Sequence, residues 1–489
     1  MQRKFLSSLI LIVLLNLLVK PFYILGIDAE VQVRVGEKIY GNYFALLNFS
    51  FLLNILLDLG ITNYNTRNIA QYPHLLRKNF FKILSLRFSL FLLYASFTFL
   101  SGIFVGFGKY ELYLLSVLMI NQFLVAIIQF SRSNIAGLHL FKTDAFISIL
   151  DRSLLIVFCS LLLWGNIMGD QFQIEWFVYA QTLAYGISAL ISVILLKTHI
   201  GIFTLKIKKA FSLAILKQSF PYALLIFLMM MYNRLDAVMI ERLLPDGNEQ
   251  AGIYAQGFRI LDAVNMFALL FAGLLLPIFS RLIKEKGDVK QMMELALRIL
   301  IAFSVAIGFL GFFFQGDLID LRYPNAAESS YYTFGYLILS FIPVSVTYVF
   351  GTLLTANGSL KQLNYMALFG VILNIVLNFV LINKYKAEGA AMATLITQTV
   401  TAFIQVLLVY LIFKFKINFW MYGRIILFAL GLVGIIYVMG ENPGLRIFSY
   451  PMLIYILCST FLAFALRLIK LSDIKVVFNR SVSQENKAE

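Results

Sequence analysis

Apolar residues run in long blocks along nearly the whole chain, broken by short polar stretches. A bilayer crossing needs about 20 mostly apolar residues, and by that rule about fourteen segments qualify. They are residues 5–27, 39–63, 80–107, 111–131, 145–168, 175–197, 216–243, 251–280, 291–314, 331–355, 361–383, 387–413, 421–440 and 448–469. None of the blocks alternates with the period of a strand, and backbone groups in hydrocarbon must bond within their own segment. An all-α polytopic membrane protein is therefore expected. The first block follows Met1-Gln2-Arg3-Lys4, which could open a signal peptide. It continues to Ile27, longer than a signal h-region, with no small-residue cleavage site, so a retained first span is expected.

Composition agrees. Hydrophobic residues make up 61% of the 489 and charged residues only 13%, with a mean hydropathy of +0.85. A soluble domain keeps about a quarter of its residues charged, so lipid must be the solvent for much of this surface. The net charge of +15 does not indicate nucleic acid, because the cations sit in short loops between apolar blocks. With the N-terminus inside, the cytoplasmic segments hold about 27 Lys/Arg and the opposite ones about eight. The opposite loops are also acidic, with Asp170, Glu175, Asp246, Glu249, Asp317, Asp320, Glu328 and Glu441. Both termini are expected in the cytoplasm, and the polar tail 472–489 is expected to be a disordered cytoplasmic end.

The longest basic loop, Lys197 to Lys217, follows the sixth span, and the chain looks duplicated across it. Lys20-Pro21 and a loop ending Tyr40-Gly41-Asn42-Tyr43 correspond to Asn233-Arg234 and a loop ending Gly252-Ile253-Tyr254. The expected division is a six-helix lobe over 1–200 and a second over 201–415 with its basic linker. Two further helices over 416–471 and the tail 472–489 complete it. Internal duplication is common in transporters, where substrate binds between the repeats.

No Walker loop, GxGxxG turn, nucleophile elbow or metal-ligand spacing is present, so no cofactor, metal or catalytic residue is expected. Cys159 and Cys458 lie inside apolar blocks, and His74, His139 and His199 fall in expected loops. Charges inside spans are informative because each costs roughly 2.5–3.5 kcal/mol to insert. Arg234, Asp236, Arg259 and Asp262 occupy spans seven and eight, and Lys20 joins them from span one. Lys20, Arg234 and Arg259 each lie roughly 10–14 Å from the acidic end of their spans. Three cations at one depth would form a positive zone in a central cavity. Alternatively, Arg234 and Arg259 pair with Asp262 and Asp236 as structural ties, and Lys20 snorkels to headgroups. Span twelve carries Thr394, Gln398, Thr401 and Gln405 on one narrow face, and Asn374 and Asn378 make a shorter line on span eleven. Such lines meet sugar hydroxyls in a wet cavity or tie helices together. Asn54 and Asp58 on span two, Arg67, Arg132 and Asp151-Arg152 are expected as gate or helix-end ion pairs.

Several of these residues fall in blocks that resemble a known family. Pro221-Tyr222 followed by Tyr232-Asn233-Arg234-Leu235-Asp236 is similar to the seventh-helix signature of polysaccharide flippases. Gly252-Ile253-Tyr254, Arg259-Ile260-Leu261-Asp262, Leu276 to Arg281, Asn374 to Asn378 and Glu388 to Thr394 extend the resemblance, as do Tyr40 to Tyr43 and Asp58-Leu59-Gly60 through Arg67. It implies the oligosaccharide flippase (Wzx-type) branch of the multidrug/oligosaccharidyl-lipid/polysaccharide exporter superfamily. The implied fold is two six-helix lobes in a V-shaped arrangement plus two C-terminal helices. The implied activity is movement of undecaprenyl-diphosphate-linked oligosaccharide from the inner to the outer leaflet of the bacterial inner membrane by alternating access. The implied setting is a monomer among membrane lipid, serving polysaccharide polymerase or chain-length machinery. Arg234, Asp236, Arg259 and Asp262 match charged positions of that family, with the two aspartates as coupling or ion-pair candidates. Lys20, Gln398 and Gln405 are cavity candidates by placement alone. A cation-coupled multidrug exporter is the rival, but such exporters typically carry an acid in the first helix. Here span one offers Lys20, with Asp28 expected at its rim. A lipid II flippase is a closer alternative. A ligase or polymerase is a distant one, since no outer loop exceeds about 20 residues, short for the translocated domain those enzymes carry.

The charge asymmetry predicts that single cysteines near Lys206 are labelled only from the cytoplasmic side and those near Asp246 only from outside. Both on one side would overturn the fourteen-span order.

Overall fold

The computed structural model describes residues 15–62, 65, 69, 74–138, 140–165, 172–197, 200, 209–324, 326–439 and 450–469. The N-terminal 14 residues, most of the basic loop, His139, His199, Arg67 and the tail from residue 470 lie outside them. All regular structure among the described residues is helical. Among the described residues ten helices are long and apolar enough to cross a bilayer, and Met452–Ala465 is an apolar helix of shorter length. Some expected spans fuse into one helix and others break, and with these counted the order of about fourteen is accounted for.

The chain forms two compact units, residues 1–263 with 367–390, and residues 264–366 with 391–489. In the first, residues 15–22 are helical and pass through a π-helical segment, Tyr23–Asp28, into α1 (Ala29–Val35). Span one therefore runs to Val35, and Asp28 lies inside it instead of at its rim. Gly36, at φ +80°, turns the chain into α2 (Glu37–Leu52). Span two then breaks: α3 (Ile55–Asp58) is a separate short helix, followed by Leu59 at φ +45° and Gly60 at φ +80°. The break has an electrostatic cause. Asp58 is turned onto buried Arg87 of α4 (His74–Val105), which also donates to Thr62 Oγ1 (2.7 Å) and to the carbonyls of Leu57 and Ala126 (3.5 and 3.3 Å). A buried guanidinium needs such a full set of acceptors. Asn54 faces elsewhere, donating to Gln122 Oε1 at 3.1 Å. His74 opens α4 as a helical residue, not a loop one.

Helices α5 (Lys109–Gly137), α6 (Phe141–Trp164) and α7 (Ile174–Leu195) follow, with α7 packed along both. The start of α5 is capped by Glu111, whose carboxylate accepts from the Gly108 N–H at 2.7 Å. Helix α8 (Lys209–Leu243) begins before the expected start of span seven and packs along α2. Helix α9 (Gly247–Lys284) covers span eight and keeps Pro277 in its interior. In the second unit, α10 (Val289–Phe313), capped by Asp288 on the Gln291 N–H at 2.9 Å, packs against α12 (Glu328–Leu339) and α13 (Phe341–Ala356), with the short α11 (Gln315–Arg322) between. Spans eleven and twelve form one helical run, α14 (Leu360–Phe413), broken at Lys386 (φ +52°, ψ −129°). Helices α15 (Phe419–Met439) and α16 (Tyr450–Ala465) complete the unit, and Tyr455 Oη donates to the Ala306 carbonyl at 2.9 Å.

At the acidic-loop end of the first unit, backbones meet directly. A Cβ on Gly41 would stand 1.8 Å from the Asn248 carbonyl oxygen, and one on Gly252 would stand 2.2 Å from that of Glu37. Gln32 Nε2 donates to the Gly252 carbonyl (2.9 Å), Gln256 Nε2 to Glu37 (3.0 Å), and the Ala387 N–H to Gln250 Oε1 (3.4 Å). Lys386 Nζ lies 2.7 Å from Asp246 Oδ2 and holds that carboxyl below the usual carboxylate range. That contribution is present at neutral pH and fades as pH falls through the acidic range.

Because the Gly41 contact is backbone on backbone, Gly41→Ala must push α2 off the first turn of α9, at about 1–3 kcal/mol. Gly186→Ala, with open space around it, should change little. Thermal unfolding in detergent checks this. Equal midpoints for the two variants would remove the close approach.

Candidate functional site

The charged residues inside the spans of the first unit fall into separate groups, one of them around Arg259. Arg259 of α9 projects onto Asp28, whose carboxylate is wholly buried, with Nε 2.8 Å from Oδ2. The same Nε donates to Tyr40 Oη at 3.1 Å, and the guanidinium stacks 5.1 Å from the Phe44 ring. One turn further along α9, Asp262 sits between the two arginines, 3.9 Å from Arg259 and 3.5 Å from Arg234. Arg234 of α8 also donates to Asn48 Oδ1 at 3.3 Å and lies between the Phe51 and Phe258 rings (5.3 and 5.1 Å). The exposures decide what each can do. Arg259 is 12% exposed, whereas Arg234 and Asp262 each keep 21%. Arg259 is thus a tie, and Arg234 is a tie with a free face.

The π-helical segment makes the first pair possible. A π turn carries an extra residue and rotates the next stretch of helix about its axis, and such turns recur at functional sites. Here it leaves both Tyr23 and Asp28 buried on the interior. Tyr23 meets a second group of charges. Arg152 of α6 is clasped between the Tyr23 and Tyr185 rings (4.8 and 5.5 Å), donates to Tyr185 Oη at 2.8 Å and lies 3.7 Å from Asp151. Arg152 keeps 28% exposure. Lys20 is part-exposed beside Arg152, Asp151 and Arg132. Arg132 makes a two-point pair with Asp144 at 2.7 and 3.3 Å.

Lys20, Arg234 and Arg259 therefore do not form one cluster. Lys20 belongs with Arg152, Arg234 and Arg259 share Asp262, and Asp28 stands between the two groups, within electrostatic reach of Arg259, Arg152 and Asp262. Sequence reasoning missed Asp28 and the interior role of Arg152. The only signal for Asp28 was its position in the chain, and the π turn falsifies an ideal helical count there. Asp236 accepts from Tyr254 Oη (2.9 Å) and Asn378 Nδ2 (2.6 Å), and Asn378 also donates to Asn374 (3.1 Å). Gln398 and Gln405 lie in the second unit, both buried. Gln405 Nε2 faces Met366 Sδ at 4.0 Å, and its Oε1 occupies the space a Cβ on Gly351 would need. Gln405 thus packs against the helices that carry Met366 and Gly351. Among the described residues no group of three or more His, Cys, Asp or Glu side chains could hold a metal ion.

Comparison with known proteins leads the same way. A family model described as polysaccharide biosynthesis protein matches residues 5–283, and the MatE model matches residues 221–380. The lipid II flippase MurJ in an inward closed conformation is 16% identical, with a TM-score of 0.63 covering 98% of each chain. A multidrug resistance MATE family transporter of the MOP superfamily, inward-facing, is 14% identical, with a TM-score of 0.62 over 83% of this chain and 94% of its own. These likenesses establish the fold. An uncharacterized membrane protein of Methanocaldococcus jannaschii, MJ1375, is 29% identical over 187 residues, which is 38% of this chain and 43% of that relative's length. With more than half of its length matched by the first of these models, the chain belongs to the polysaccharide biosynthesis protein family.

Proposed function

We propose that the protein is a flippase that carries a diphosphate-linked oligosaccharide, on an undecaprenyl lipid, from the inner to the outer leaflet by alternating access. The observation that carries the reading is the charge network of the first unit. Inside an apolar fold, Lys20, Arg152, Arg234 and Arg259 gather around Asp28, Asp151 and Asp262, and Arg152 and Arg234 keep partly exposed faces. A diphosphate stripped of water needs fixed cations, and guanidinium forks meet phosphate oxygens in two-point contacts. The rings around each arginine hold it in place, so little reorganises when an anion arrives. Termini on the cytoplasmic side and action as a monomer alongside a polymerase belong to the same proposal.

A second reading is a cation-coupled exporter, and Asp28 favours it, since span one does carry a buried acid. Yet Asp28 is already neutralised by Arg259 at 2.8 Å, which disfavours a second cation there unless Arg259 first moves away. Asp236 and Asp262 are the remaining coupling candidates.

Arg234→Ala should abolish export of the lipid-linked glycan at near-normal protein abundance, and Arg234→Lys should restore it only in part. Loss of the protein from the membrane, rescued by adding Asp262→Ala, would instead mark Arg234 as a structural tie. Arg259→Ala should lower abundance as well, because it strands the buried Asp28 carboxylate at about 3–5 kcal/mol.

Direction then comes from the membrane potential. Two negative charges leaving a negative interior gain about 4–5 kcal/mol per 100 mV if they cross the whole field. Reconstituted vesicles should flip faster outward under a negative-inside potential with no pH gradient. Flipping that ignores the potential and tracks a proton or sodium gradient would transfer the coupling role to the aspartates.

A further inference from the structure

The first unit holds a cavity of about 390 Å³ that the charge network does not use. It is bounded by the starts of four helices: Lys38 and Asn42 on α2, Tyr110 on α5, Gln173 and Glu175 at the entry to α7, and Asn248 on α9. None of Lys20, Asp28, Arg152, Arg234, Arg259 or Asp262 lines it. Its volume sits at the small end of the roughly 300–1,000 Å³ range of ligand sites.

The lining defines the chemistry. Tyr110 keeps 47% exposure, offering an aromatic face, and its hydroxyl donates to Glu175 Oε1 at 2.5 Å, fixing both groups. Three amide side chains surround that face, and each amide can donate and accept at once. Asn248 is half-buried in the cavity wall and adds its amide to the lining. A hydroxyl-rich ring with one apolar face meets all of these demands together. Val35, Ile39, Leu114 and Ile174 add apolar surface for the ring's apolar face, and Lys38 in the same lining disfavours a lipophilic cation.

We propose that this cavity is a saccharide site that takes one or two sugar rings at the acidic-loop end of the first unit. It is distinct from the charge network that would meet the diphosphate. That the sugar belongs to the exported glycan rests on the flippase reading; that the cavity binds sugar does not. The site is also conformational. Asn248 contributes its side chain to the cavity and its backbone oxygen to the close contact with Gly41, whose neighbour Asn42 lines the same cavity. Sugar bound across α2, α5, α7 and α9 would hold that contact shut, so an exported glycan at this end acts as a product that stabilises the sealed arrangement.

The test uses the full chain in lipid nanodiscs with soluble glucose, galactose, N-acetylglucosamine and glucuronate. Binding is monitored by saturation-transfer NMR and by thermal midpoint. At least one sugar should give saturation transfer and raise the midpoint. Both effects should fall about tenfold or more in Asn42→Ala and Tyr110→Ala, each losing one or more contacts of about 1.4 kcal/mol. Arg234→Ala should bind sugar as the parent does. No response to any of the four sugars, or a response that persists in both cavity variants, would overturn the proposal. Sugar binding that is lost in the cavity variants, in a protein that fails to flip lipid-linked glycan, would leave the site standing and remove the flippase reading.

Discussion

An isolated ion cannot remain in the hydrocarbon of a membrane, and the first unit is organised around that prohibition. Arg259 and Asp28 come from different spans, and neither could stay charged and buried without the other. Their pairing sets the depth of α9 against span one, and Asp262 then brings Arg234 and α8 into the same group. Arg87 and Asp58 impose a similar demand on α3 and α4. These pairs add little net stability over an apolar packing. Their effect is on specificity, because any helix register that separates the partners leaves a naked charge in a low-dielectric interior.

Network and surface divide the work of the fold. The large apolar side chains that face outward, Phe104, Leu411 and Tyr437 among them, need no partner beyond lipid. The helices therefore associate through other means. Glycines admit backbone contact, as at Gly41 and Gly252, and polar side chains bond across helices, as Asn16 does to Ser148 and Gln181 to Tyr43. The polar groups inside this protein are the adhesive, and some of them keep a face for something else.

The fold class and the order of spans were legible because length and hydropathy decide them almost alone. Legibility ended where a helix departs from the regular 3.6-residue turn. The π segment at Tyr23–Asp28 carries Asp28 into the interior, and the turn at Leu53–Asn54 releases Asp58 from the face it would share on an unbroken helix. No pattern of apolar residues signals either event, since both are settled by a charge seeking a partner on another helix. The charged residues of spans seven and eight were readable as interior, because their insertion cost allows nothing else. Their partners were not, since Asp28 lies 231 positions before Arg259 and pairing at that range is set by packing. Gln398 and Gln405 share a face as spacing requires, yet spacing cannot distinguish a face turned to a cavity from one turned to a neighbouring helix.

The acidic-loop end of the first unit is closed by two kinds of force that answer differently to the medium. The contact of Gly41 with the Asn248 carbonyl and that of Gly252 with the Glu37 carbonyl are short-range packing, indifferent to ions in the surrounding water. The Lys386–Asp246 pair is exposed and electrostatic, and dissolved salt screens it over a Debye length of about 8 Å at physiological ionic strength. At low and at high salt the same arrangement is thus held with different contributions from each. The glycine contacts set a floor that dissolved ions do not move, and the ion pair adds an increment that falls as ionic strength rises.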